Sequence, residues 1–216
     1  MNELVAPLLL LLICSALLAV IGIGALLLGK RAAGWTEWLV GAGLLITAAV
    51  AGVVWNGLIE VDYRVYQWAH AWTWSGGELG AISIGILRDP AAISQCLLCA
   101  FLGLVGLVAS FHQGITQKTF RTAVALAISS SGVAFAWLAL TPWLSLLGLC
   151  LTALGGFVAL FDEWFDTPSA SWATRYAWEK AALLSLAALG LAIASARHTN
   201  LNWLEISQGA GLEDVS

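Results

Sequence analysis

Charge is what this sequence has least of. Of 216 residues, nine are Lys or Arg and thirteen are Asp or Glu, 10% of the chain, against about 25% in an average soluble domain. Too few polar groups remain to cover a water-facing surface, which excludes a soluble globular enzyme. The balance of −4 offers no basic surface for nucleic acid and no positive excess for anionic lipid. Period-two alternation is also missing: the apolar runs are continuous, which excludes an outer-membrane barrel. The four cysteines, Cys14, Cys96, Cys99 and Cys150, all lie within apolar runs, where cysteine acts as a small hydrophobe and no extracellular disulfide is expected.

What is abundant is apolar length. The chain is 60% hydrophobic with a mean hydropathy of +0.88, and its runs are of the length that crosses a bilayer. Six spans are expected, over 4–28, 38–58, 91–111, 122–140, 143–161 and 177–196, followed by a polar tail over 197–216. Backbone groups in hydrocarbon must pair within their own segment, so the expected fold class is an all-α membrane protein. The first run starts after Glu3 rather than after a basic segment and ends in Lys30 and Arg31, which marks a retained helix rather than a cleaved signal.

The connections set an orientation. Lys30, Arg31, Lys118, Arg121, Arg175 and Lys180 fall in the first, third and fifth connections, against Arg64, Arg88 and Arg197 in the second and the tail. The positive-inside rule then puts the odd connections in the cytoplasm and both termini outside. Asp162, Glu163 and Asp166 also fall on the cytoplasmic side, but acidic residues weigh little in that rule. The second connection, 59–90, is long and aromatic, with Tyr63, Tyr66, Trp68, Trp72 and Trp74 ahead of Gly76-Gly77 and an apolar alternation over 82–87. Rings suit the headgroup zone, and the glycine break suits a small interfacial β-hairpin, with an irregular aromatic loop as the alternative.

Ionisable residues inside spans are expensive and usually mark ion pathways. None falls near the middle of an expected span. Glu179 and Lys180, at the start of the sixth, are placed to snorkel to the surface. Ser129-Ser130-Ser131 in the fourth span could line a wet path or bond across helices, but hydroxyls bonded back to their own helix are the simpler reading. Gly22 and Gly24, Gly103 and Gly106, and Gly155 and Gly156 are candidates for close helix approach. Cys96-Leu97-Leu98-Cys99 puts two thiols on one helix face, yet no further ligands lie nearby in sequence, so neither metal nor cofactor is expected. His70, His112 and His198 read as surface or interfacial residues. Phosphate loop, nucleophile elbow and zinc-protease motifs are all absent, leaving no self-contained active site.

The order of these features resembles the amino-terminal part of the antiporter-like (NuoL-type) membrane subunits of respiratory complex I, with relatives in Mrp antiporters and DabB-type inorganic-carbon uptake. Tyr66-Gln67-Trp68 through Trp72-Thr73-Trp74, with the alternation over 82–87, resembles that family's hairpin between its second and third helices. Arg88-Asp89-Pro90-Ala91-Ala92-Ile93-Ser94 is similar to the start of its third helix. Gly148-Leu149-Cys150, then Gly156-Phe157 and Asp162, is similar to its fifth, and Thr199 through Ile206 resembles the connector after its sixth. The resemblance covers the family's first six helices and stops before its broken, lysine-bearing seventh.

That resemblance implies a proton relay in which a fifth-helix glutamate tunes the seventh-helix lysine. Here the glutamate position falls on Ser145 or, in the ungapped alignment, on Cys150, so the carboxylate is missing. The third-helix histidine position falls near Leu107, and the sixth-helix Arg-x-Gly-Asp pattern is not reproduced around Glu179 and Lys180. The degenerate proton-path positions are thus Ser129, Ser130, Ser131, Ser145, Cys150, Glu179 and Lys180. Two functions are implied: a structural membrane-arm subunit of a complex I-like or related ion-translocating complex, or the front half of a split antiporter-like subunit completed by another chain. Either implies other membrane subunits and the bilayer as partners, no cofactor, no catalysis by the chain alone, and residence in a bacterial inner membrane.

Overall fold

The computed structural model describes residues 5–60, 66–70, 84–88, 90–112, 116–139, 142–160 and 170–197. Six α-helices carry them: α1 (Val5–Leu28), α2 (Trp35–Glu60), α3 (Pro90–His112), α4 (Thr116–Leu138), α5 (Pro142–Leu160) and α6 (Ala170–Arg197). A 3-10 turn, the η turn (Gly29–Ala32), follows α1, and two strands, β1 (Tyr66–His70) and β2 (Ile84–Arg88), stand between α2 and α3.

Four stretches, Pro7–Leu28, Trp35–Gly57, Pro90–His112 and Thr119–Leu138, are long and apolar enough to cross a membrane, while the apolar part of α5, Trp143–Ala159, is shorter. At 1.5 Å per residue, a 23-residue stretch such as Pro90–His112 reaches about 35 Å, more than the ~30 Å hydrocarbon core. The chain is an all-α integral membrane protein.

Local chemistry sets the helix ends. Pro90 and Pro142 occupy the first positions of α3 and α5, where a missing N–H costs nothing and the fixed φ is already helical. Gly29 follows the last residue of α1 at φ 57°, the left-handed stop that glycine adopts without strain, and Gly34 at φ 89° turns the chain into α2.

The centre of the bundle is α4. It packs against α1, α2, α3 and α5, while α6 packs chiefly against α5. Of the four membrane-length helices it is the least apolar and the most buried, the arrangement expected when the alternative environment is hydrocarbon: small and hydroxyl residues meet protein, large apolar ones meet lipid. Accordingly Leu10, Leu17 and Val20 of α1 and Phe101, Leu102 and Val108 of α3 stay exposed.

Three contacts fix the register of the antiparallel α2–α3 pair. A methyl on Gly103 would lie 3.2 Å from Leu44 and one on Gly41 would lie 3.3 Å from Leu107, and the Trp38 and Phe111 rings are 6.2 Å apart. The interior beside this pair is closed by Leu18, Val40, Leu44, Leu107, Ala123 and Ala127. A second cluster, including Leu11, Val54, Ile93, Cys96 and Leu138, fills the end nearer the strands.

The strands pair antiparallel, Tyr66 opposite Arg88 and His70 opposite Ile84, and β2 touches α3 and α4. A strand pair therefore stands where a hairpin was expected, with its second strand at 84–88 rather than 82–87. Tyr63, Trp72, Trp74, Gly76 and Gly77 lie outside the described residues, as do Asp162, Glu163 and Asp166, the residues Thr199 to Ile206, and His198.

Several helices begin earlier than their apolar runs. Helices α2, α4 and α6 start at Trp35, Thr116 and Ala170, where hydropathy placed starts at 38, 122 and 177. Backbone hydrogen bonding continues past the ends of the apolar runs, so Thr36, Glu37, Lys118, Arg121 and Arg175 are helical although they are not apolar.

Candidate functional site

Of the two positions that the resemblance offers for a carboxylate, Ser145 lies on the seam between α4 and α5, and backbone shape dominates that seam. A methyl on Gly155 would sit 2.7 Å from the Ser129 amide nitrogen and 2.8 Å from the Ala125 carbonyl oxygen. One on Gly132 would collide with the Thr152 amide, and one on Gly148 with the Ala136 amide. Gly148, Thr152 and Gly155 recur at helical spacing on α5 and face Ala125, Ser129, Gly132 and Ala136 on α4, so the two backbones touch along three turns. Of the glycine pairs marked from sequence, Gly155 serves this seam and Gly22 packs against Ile128 of α4. Gly24 meets nothing within 4 Å and supports no helix contact.

Sequence inspection missed Gly132 and Gly148. The seven-residue spacing of Gly148 and Gly155 and the three-residue spacing of Ser129 and Gly132 were the available signal, but small residues are frequent in membrane helices and the facing helix is invisible in a linear chain.

The three consecutive serines diverge. Ser129 donates to the Ala125 carbonyl at 2.7 Å, and Ser131, fully buried, donates to the Ile128 carbonyl at 2.8 Å. Both hydroxyls are thus bonded back to α4 itself. Ser130 turns toward α3, its Oγ 3.5 Å from where a methyl on Gly103 would be. Successive helical residues point about 100° apart, so these three cannot line one path.

The alternative carboxylate positions also separate. Ser145 is partly buried and donates across the seam to the Ala136 carbonyl at 3.3 Å. That acceptor belongs to the last turn of α4, whose carbonyls lack intrahelical donors. Cys150 is exposed, on the side of α5 away from Gly148 and Thr152. At the start of α6, Glu179 accepts a 3.1 Å charge-assisted bond from Arg175, and the Lys180 ammonium lies 5.5 Å above the Tyr176 ring. Tyr176 itself packs against Gly156 and seats α6 on α5. Both charges are therefore engaged at the surface of their own helix.

Cys96 is buried between α1, α2 and α4 side chains while Cys99 is half-buried, and both are free thiols. Among the described residues no three His, Cys, Asp or Glu side chains come together as a metal site. His112 ends α3, exposed.

One titratable side chain that sequence inspection left outside the spans lies inside the bundle. Glu37, in the first turn of α2, is 8% exposed and is the one charged residue among the buried side chains described. Its run reads as a polar helix start, and only the register of α2 against α3 turns it inward.

No family model matches the chain and no curated protein matches it.

Proposed function

We propose that the chain is a structural membrane-arm subunit of a complex I-like or related ion-translocating complex, with an antiporter-like helical frame and no relay of its own. The observation that carries this reading is the α4–α5 seam: at one of the two positions where the resembling family needs a carboxylate, Ser145 is bonded to the Ala136 carbonyl between backbones in contact, and at the other stands the exposed Cys150. A closed seam without a titratable group holds helices together and moves no proton. The back-bonded serines and the apolar filling by Leu44, Leu107, Ala123 and Ala127 support the same reading. In this reading all six helices span a bacterial inner membrane, with the η turn, the α3–α4 connection and the start of α6 on the cytoplasmic side and both termini outside, in keeping with Arg31, Arg121 and Arg175 at that end.

Purification of the full chain from its native membrane in mild detergent, followed by identification of co-eluting chains, tests it. Co-elution with other membrane subunits is the expected result, and recovery as a stable lone monomer overturns it.

A second reading, the front half of a split antiporter-like subunit, draws support from α6. That helix packs chiefly on α5 and leaves Leu183 and Leu186 exposed, room for further helices on another chain. A co-eluting chain that opens with a lysine-bearing broken helix would favour this version over the purely structural one.

A further inference from the structure

The buried Glu37 is used by neither reading, and its surroundings can be placed level by level. The contacts Leu44 with Gly103, Gly41 with Leu107 and Trp38 with Phe111 set Glu37 at the level of the last turn of α3, the turn that holds Ser110 and Phe111. Ser110 is itself buried, and its carbonyl accepts a 3.2 Å bond from the buried Thr119 hydroxyl on α4. Three buried oxygen-bearing side chains from three helices therefore stand in the end turns at one end of the bundle, just outside the apolar layer of Val40, Leu44, Leu107 and Ala123, with the Ser110 hydroxyl donating to the Leu107 carbonyl at 2.7 Å. Among the described residues no hydrogen bond or ion pair engages the Glu37 carboxylate.

Charged and titratable groups on the packed elements are Lys30 and Arg31 after α1, His112 on α3, and Lys118 and Arg121 on α4. The arginines favour an anion at this end, as does the N-terminal end of the α2 dipole. Neither offsets the cost of holding away from water a carboxylate that pairs with none of the described side chains. A small cation seated on the carboxylate removes that conflict, because it neutralises the buried charge while the lone pairs of the Ser110 and Thr119 hydroxyls, whose protons are donated to the Leu107 and Ser110 carbonyls, turn toward it.

We propose that Glu37, with Ser110 and Thr119, forms a binding site for a small monovalent cation, a proton or sodium, at the η-turn end of the α2–α3–α4 seam. The apolar layer behind it closes the way to the opposite end, so the site loads and unloads from one side and conducts nothing.

Dicyclohexylcarbodiimide, which attacks protonated carboxyl groups in apolar surroundings, tests this on the full chain in phospholipid vesicles. Modification is mapped by peptide mass spectrometry from about pH 5.5 to about pH 9, with and without sodium chloride, choline chloride balancing the ionic strength. The expected result is labelling of Glu37 at least about tenfold above the exposed Glu179 at the acidic end, falling as pH rises, with loss of the adduct in Glu37→Gln. Suppression of labelling by sodium assigns the ion as sodium, and indifference to sodium assigns it as a proton. Labelling of Glu37 no greater than that of Glu179 at every pH overturns the proposal.

Discussion

The Ser145 hydroxyl donates to the Ala136 carbonyl across 3.3 Å, tying the first turns of α5 to the last turn of α4. This bond stands at one of the two positions where the resembling relay carries a carboxylate, and it satisfies an acceptor that α4 leaves open at its end. Ser145→Ala removes it without adding bulk. A loss of roughly 0.5–1.5 kcal/mol is expected, as a lower midpoint in thermal unfolding of the detergent-solubilised protein. A stability equal to wild type would mean that the bond contributes nothing.

Substitutions at two glycines should differ in sign. Gly148→Ala drives a methyl into the Ala136 amide, where backbone cannot give way as a side-chain tip can, so a loss of about 1–3 kcal/mol is expected. Gly24→Ala enters open space and replaces a poor helix former, for a gain of up to about 1 kcal/mol. Thermal stability of both variants, in one detergent, measures the contrast. Equal effects would contradict the close α4–α5 contact.

Replacing Ser129, Ser130 and Ser131 together with alanine should leave proton movement by the assembled complex unchanged, because Ser129 and Ser131 are spent on their own helix and the three point apart. Proton uptake by vesicles holding the purified complex is the measurement. A slowed rate would return these hydroxyls to a conduction path and count against the scaffold.

The Arg175–Glu179 pair is solvent-accessible on both sides, with side chains 70% and 62% exposed. Exposed pairs of this spacing contribute about 0.3–0.5 kcal/mol and are screened by salt. Glu179→Gln should therefore shift stability by no more than that, and the difference should shrink in high salt. A larger loss, measured by the same thermal unfolding, would show that Glu179 has a partner beyond its own helix.

The helices were legible because apolar runs of bilayer length admit one backbone solution, and the strand pair was legible from the alternation before Arg88. The centre of the bundle was not. Hydropathy ranks α4 lowest among the membrane-length helices, yet α4 is the hub, because in lipid the hydroxyl and small residues are the ones that seek protein. The candidate positions separated only once facing helices were known: Ser145 and Cys150 are five residues apart in sequence and on different sides of α5. Glu37 was overlooked for a related reason, since apolar content alone starts the second span at Trp38, one residue too late to include it. The register of Trp38 against Phe111 is a tertiary fact.

The hub position of α4 also dictates an order of assembly. Translation delivers α1, α2 and α3 to the bilayer before α4 has left the ribosome, and until then Ile93, Leu107 and Leu18 border a groove that nothing but lipid can fill. The segment that must enter this groove is the one the bilayer solvates least well, so its insertion is favoured by the waiting helices rather than by hydrocarbon. A nascent chain stalled after α3 would be an open cleft, a substrate for membrane quality control. Release of α4 into it closes the bundle, since α4 packs on α1, α2 and α3 together.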